Sequence, residues 1–275
     1  MYDPKQHRTA VFQRGDYSGV MCLSRGAWAL WLLGYSHQAL ARGHEALTLA
    51  QQLAHPFSLS VAFSWGAALH QFRREGRAVQ ERAEAAISLT KEQGFPFWLA
   101  VGSLLRGWAL VHQGQVEEGI GQMQQGLRAH HATSVEQMRP YWLALLADAY
   151  GSMGQPEAGL AVLVEALTLA ETTGERWCAP ELYRLKGALL LQQSSDHQAE
   201  AETCFHHAIS IAQSQQAKSW ELRAATSLAR LWQQQGKRAE ARALLAPVYG
   251  WFTEGFDTLD LQDAKALLHE LEDGR

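Results

Sequence analysis

A period of 40 residues runs along this chain, and nothing else in the sequence restricts its fold so strongly. Residues 46 to 57, ALTLAQQLAHPF, align without a gap on residues 86 to 97, AISLTKEQGFPF. A small residue recurs at Ala27, Ala67, Gly107, Ala147 and Gly187, each 40 apart, and again at Ala229 after a step of 42. A larger residue follows three positions later each time, at Leu30, His70, Leu110, Tyr150, Leu190 and Trp232. A second small position falls at Ala39, Val79, Gly119, Gly159, Ala201 and Ala241, and a third at Ala46, Ala86, Gly126, Ala166, Ala208 and Val248. A unit this short cannot bury its own apolar stripe, so neighbouring units must stack into one continuous core.

Both halves of each unit carry the helical period. Leu160, Leu163, Val164 and Leu167 follow the i, i+3, i+4, i+7 stripe, as do Leu143, Leu146, Ala147 and Tyr150. Glycine marks the turn between halves at Gly34, Gly114, Gly154 and Gly236, where a helix end favours a left-handed residue. Arg74 and Asp196 replace it in the second and fifth units, which predicts turns of a different shape there. Thr133 to Glu136 and Ser195 to Gln198 have capping-box spacing, and Glu117, Glu157 and Glu240 fall in predicted first turns. Pro56, Pro96, Pro140 and Pro180 keep the register at predicted helix starts, where a missing N–H costs nothing. The spacing predicts an all-α, right-handed α-solenoid of about six antiparallel helix pairs, over 17–54, 57–94, 97–134, 136–174, 177–216 and 217–253. Residues 1–16 read as a leader or partial repeat, 17–256 as the array, and 257–275 as a C-terminal capping helix.

The spacing from Gly154 through Gly159 to Ala166 and Leu167 resembles the tetratricopeptide repeat, lengthened beyond that family's usual unit. More narrowly, YDPKQHR, AWALWLLGY, FPFWLA, LYRLKGALLL, KSWELRAATSLARLW and YGWFTEGFDTLDLQDAKALL resemble C-terminal tetratricopeptide regions of bacterial signalling proteins that join a nucleotidyl cyclase domain to an ATPase module. The resemblance covers essentially the whole chain. It implies a non-catalytic scaffold or sensor arm that binds a protein or peptide segment in a concave groove. The alternative it implies is an intramolecular regulatory region, packed on the cyclase or ATPase modules of a parent protein. The end after a capping helix reads as a C-terminus, and the abrupt start as a break within a longer ancestor.

The net charge of -4 offers no electrostatic footprint for nucleic acid. Cys22, Cys178 and Cys204 form neither a disulfide framework nor a metal motif, which fits the cytoplasm. No stretch is apolar enough to span a bilayer. Gly236-Lys237 lacks the upstream glycine of a phosphate loop, and His130, His131, His206 and His207 do not converge, so no cofactor, metal or catalytic site is expected. Of the ten tryptophans, Trp98, Trp142 and Trp220 are expected between helices, each indole N–H with a partner.

The tetratricopeptide resemblance implies a groove lined by Trp28, Trp31, Ser64, Gln71, Trp108, His112, Asp148, Glu181, Arg184, Arg223, Arg230 and Gln233. Its early part would be aromatic and its far end basic. Arg184, Arg223 and Arg230 would then meet an acidic or carboxylate-terminated segment, or else pair with Glu181 and Glu221 on the array itself.

Overall fold

A computed structural model describes residues 18–273, so the expected leader, residues 1–16, lies outside the described residues. Thirteen α-helices and no strand occur among the described residues. They form six consecutive pairs: α1 (Ser18–Leu32) with α2 (Ser36–Leu53), α3 (Pro56–Phe72) with α4 (Gly76–Gln93), α5 (Pro96–His112) with α6 (Val116–Ala132), α7 (Arg139–Ser152) with α8 (Pro156–Thr173), α9 (Ala179–Gln193) with α10 (Gln198–Ser214), and α11 (Lys218–Gln234) with α12 (Arg238–Gly250). A last helix, α13 (Leu259–Asp273), follows. No helix among them is long and apolar enough to cross a membrane.

The local signals act as their chemistry requires. Pro56, Pro96, Pro140 and Pro180 stand at the starts of α3, α5, α7 and α9, where the ring removes no intrahelical bond. Glu117, Glu157 and Glu240 occupy the first turns of α6, α8 and α12. Neither expected capping box forms. The Thr133 hydroxyl donates back to the His130 carbonyl, and α7 begins only at Arg139, after the left-handed Met138. In the fifth repeat Ser194, one residue earlier than expected, accepts from the Asp196 N–H and starts a short 3-10 turn over Ser195–His197.

Four hairpins turn through glycines with φ between 72° and 92°. The turn at Arg74 was expected to differ, but it has the same shape: φ is 62°, and its N–H bonds Gln71 O just as that of Gly34 bonds Trp31 O. A left-handed residue other than glycine costs roughly 1 to 2 kcal/mol. The Arg74 guanidinium offsets this by bridging Asp260 and Asp263 of α13, at 3.2 and 2.7 Å. Only the fifth turn, without either solution, changes shape.

The first helices of successive repeats touch one another from α1 through α3, α5, α7 and α9 to α11, and α11 then touches α1. The inner wall is therefore closed on itself. Ser219 donates to the Trp31 carbonyl at 2.5 Å, and Arg223 Nη2 to the Phe72 carbonyl at 2.5 Å. The centre is plugged by aromatic rings from adjacent and distant repeats: Phe72 lies 5.1 Å from Trp28 and 4.9 Å from Trp31 of the first repeat, 5.4 Å from Tyr141 and 6.0 Å from Trp177. Trp142 and Trp220 are buried as expected, yet among the described residues neither indole N–H has a hydrogen-bond partner. Trp220 sits edge-on to Trp31, centroids 4.8 Å apart.

The C-terminal segment does more than cover the last pair. Helix α13 packs on α11 and α12 and buries Leu261, Ala264, Leu267 and Leu271. The loop before it reaches back to the first two repeats. Glu254 accepts from the backbone N–H groups of His37 and Gln38 at the start of α2, at 2.9 and 3.0 Å, where a helix favours an anion. Asp257 meets His37 at 2.6 Å and the buried Arg73 at 3.2 Å. Trp251 lies against Tyr35, and Phe252 is buried.

The small residues of the period allow close helix approach, tightest between α5 and α6. A Cβ added at Gly107 would lie 2.7 Å from the carbonyl oxygen of Gly119, and one at Gly119 would lie 2.6 Å from that of Gly107. Gly107→Leu should therefore destabilise the protein by about 1 to 3 kcal/mol or more, because the obstacle is backbone and cannot turn aside. Urea denaturation would check it, and an unchanged midpoint would contradict this register.

Candidate functional site

One cavity of about 230 Å³ opens on the inner wall. The first helices of repeats three to six line it, with the end of α3, the turn that follows it, and α13. Trp108 and His112 come from α5, Leu145 and Asp148 from α7, Glu181, Arg184 and Leu185 from α9, and Thr226, Ser227, Arg223 and Arg230 from α11. Gln71 and Arg74 close one side, Asp260 and Asp263 the other.

The cavity is strongly ionic. Arg74, Arg184, Arg223 and Arg230 face Asp148, Glu181, Asp260 and Asp263, four cations against four anions. Most are consumed in one network. Glu181 accepts from Arg184 Nε and Nη2 at 2.7 and 2.9 Å, and from Arg223 Nη1 at 3.4 Å. Arg223 Nε reaches Asp260 at 2.8 Å, and Asp260 also receives Arg74. Burial alone would push the Glu181 carboxyl up, but the Arg184 charge and hydrogen bonds, with Arg223, hold it below the usual carboxylate range. Arg223 also stands over Trp31 and Trp220, 5.2 and 4.9 Å from their ring centroids.

Asp148 and Arg230 are different. Among the described residues neither side chain has an ion-pair or hydrogen-bond partner, although both line the cavity. His112 stacks on Trp108 with centroids 3.7 Å apart, and its Nδ1 lies 3.2 Å from the Trp108 carbonyl oxygen. Burial lowers its pKa, Asp148 opposes that, and Arg74 and Arg223 reinforce it. The ring is thus neutral at pH 7, with Nδ1–H donating to Trp108 and Nε2 left as an acceptor.

Of the twelve residues expected on the groove, Gln71, Trp108, His112, Asp148, Glu181, Arg184, Arg223 and Arg230 come together at this cavity. Trp28 and Trp31 do not. They are 5 % and 2 % exposed: Trp28 packs on Trp65 and Phe72 of the next repeat and on Trp177, and Trp31 is held between Phe72 and, across the closure, Trp220. Ser64 is buried, and Gln233 bonds Glu270 away from the cavity. Glu221 pairs with Lys218 rather than with the cavity arginines. Arg74, Asp260 and Asp263 were missed. Arg74 could have been found as the arginine in a glycine turn, whereas the two aspartates have no signal until the ends of the array meet. No group of three or more His, Cys, Asp or Glu among the described residues is placed to hold a metal ion.

No protein-family model matches the chain, and no curated protein sequence does. Solved structures do resemble it. The apo form of RapI superposes with a TM-score of 0.62 at 10 % identity, covering 97 % of this chain and 90 % of RapI. Aspartyl phosphate phosphatase F from Bacillus subtilis gives 0.60 at 12 % identity, over 89 % of this chain and 63 % of its own length. A signal transduction ATPase with numerous domains from Pyrococcus horikoshii, described as carrying a tetratricopeptide repeat sensor, gives 0.52 at 16 % identity. That match covers 93 % of this chain, which spans 38 % of the ATPase. The chain folds as a tetratricopeptide-type solenoid. At these identities the likeness is one of fold.

Arg223 is the member of the network whose loss should be felt most. Arg223→Met leaves Glu181 and Asp260 short of a buried partner, and breaking such a pair from one side costs about 3 to 5 kcal/mol. Chemical denaturation would measure it. The depressed Glu181 pKa in the folded state contributes stability that is present above the ordinary carboxylate pKa and is lost as pH falls through the folded value. Stability should therefore decline on acidification, and less steeply in Arg223→Met, where that depression is smaller.

Proposed function

We propose that this tetratricopeptide-type array is a non-catalytic protein-interaction module, a sensor arm that recognises a partner segment on its inner wall. The observation that carries this is the pair of unpartnered ionic groups, Asp148 and Arg230, inside a cavity whose other ions are matched. Charges that stabilise the fold are paired off, whereas charges held single in a concavity stay available to a ligand. The expected roles of the arginines divide accordingly. Arg184 and Arg223 belong to the fold through Glu181 and Asp260, while Arg230 is exposed and available. With the aromatic end plugged, a segment would enter by a charged end instead of lying along the whole groove. The comparison with an ATPase that carries a tetratricopeptide sensor supports the class of function.

Affinity capture from the native cell extract tests this. The double variant Asp148→Asn and Arg230→Gln touches no ion pair of the fold and should melt with the wild type, yet lose the partner that the wild type retains. Equal retention by both proteins would remove the cavity as the recognition site.

A second reading, a regulatory region packed on cyclase or ATPase modules, is favoured by a different observation. Cys22 and Ala29 on α1 are exposed. Their counterparts one repeat on, Ala62 and Leu69, are buried, as are Gly102 and Ala109, Trp142 and Ala149, Leu182 and Leu189, and Ala224 and Leu231. The first repeat thus presents a stacking face like those its neighbours cover. Coding sequence for further repeats or for such modules immediately upstream would support this second reading, and an in-frame stop there would end it.

A further inference from the structure

The charges of the cavity specify a ligand class more narrowly than a partner segment. A purely anionic ligand would bring its charge beside Asp148, Glu181, Asp260 and Asp263, and a purely cationic one beside four arginines. The cavity is formally neutral, and after internal pairing it leaves one anion and one cation. Its complement carries one charge of each sign.

The two free charges come from different helices, and the charge of Asp148 also acts on Arg184. Asp148, on α7, is accompanied by His112 from α5, whose Nε2 is an acceptor because Nδ1 donates to Trp108. Two acceptors, one of them a carboxylate, suit an ammonium group. Arg230, on α11, is accompanied by Arg184 from α9, whose Nε and Nη2 are spent on Glu181 while Nη1 is not. Guanidinium donors in that arrangement suit a carboxylate. The hydroxyls of Thr226 and Ser227 donate to carbonyls of their own helix and so do not compete for the site. The volume, about 230 Å³, is below the roughly 300 to 1,000 Å³ of pockets for drug-sized ligands.

We propose that the cavity binds a small zwitterion of the α-amino-acid class, its ammonium group on Asp148 and His112 and its carboxylate on Arg230 and Arg184. This rests on the reading of the inner wall as a recognition site and goes beyond it, because the ligand is a free small molecule. Its binding would bridge repeats three and four to repeats five and six.

The test is calorimetric titration of the full chain with each free proteinogenic amino acid and with glycylglycine. Any zwitterion that binds is then compared with its N-acetyl and its amide derivatives. At least one zwitterion should bind, and each blocked derivative should bind about ten-fold or more weakly, the loss of one charge-assisted hydrogen bond. Asp148→Asn should abolish the penalty for acetylation and Arg230→Gln the penalty for amidation, each leaving the other penalty in place. Absence of binding by every zwitterion, or equal binding of the blocked forms, would overturn the proposal. Partner capture that depends on Asp148 and Arg230 without any amino-acid binding would overturn it too, while leaving the sensor reading intact. Amino-acid binding with partner capture that ignores both residues would uphold it and retire the partner segment.

Discussion

One guanidinium joins almost every part of this molecule. Arg223 donates to the Phe72 carbonyl at the end of α3, to Glu181 on α9 and to Asp260 on α13, and it lies over Trp31 from α1 and Trp220 from its own helix. Its planar donors are satisfied only when the second, fifth and sixth repeats and the C-terminal helix stand in one arrangement. Aromatic surfaces alone would tolerate sliding. A buried arginine with several fixed acceptors does not, and its removal leaves carboxylates stranded in the interior.

The same closure shapes the recognition surface. Bringing α11 against α1 sets Trp220 on Trp31 and Phe72, which already pack with Trp28, so much of the concave wall becomes core. What remains open is the ionic sector from α5 to α13. Arg74 shows the two demands meeting in one residue: it accepts a left-handed backbone that glycine takes in four sister turns, and its side chain ties the second repeat to α13. The C-terminal loop completes the seam with Glu254 on the amide groups of α2 and Asp257 between His37 and Arg73.

The helices, their pairing and the inner-wall register were legible because they follow from a period that each repeat carries within itself. Gly107 and Gly119 are close because both are small positions of one unit, and the spacing alone says so. Eight inner-wall residues could be grouped because the tetratricopeptide resemblance implies which face of each first helix looks inward. The failures were of two kinds. Thr133 and Ser194 show that capping spacing does not decide between competing local hydrogen bonds, since a hydroxyl one residue away or a carbonyl three residues back can win. Trp31, with Asp260 and Asp263, depends on the meeting of residues from opposite ends of the chain, and Trp28 on Trp177 from the middle of it. No local pattern encodes the curvature that brings them together.

Closure also changes what kind of polymer this is. An open solenoid behaves as a one-dimensional stack, in which each unit feels only its neighbours and the ends fray first. Here Ser219 and Trp31, 188 residues apart, share a hydrogen bond, so the array has the connectivity of a ring. Fraying from either end therefore meets the seam. Opening the array must break the seam and the aromatic centre together, which joins the repeats into a single cooperative unit and loads the folding reaction with a late, long-range closure step. The number of repeats between the two sides of the seam is then fixed by curvature: one unit more or fewer between Phe72 and Arg223 would part them, a restriction that an open array never meets.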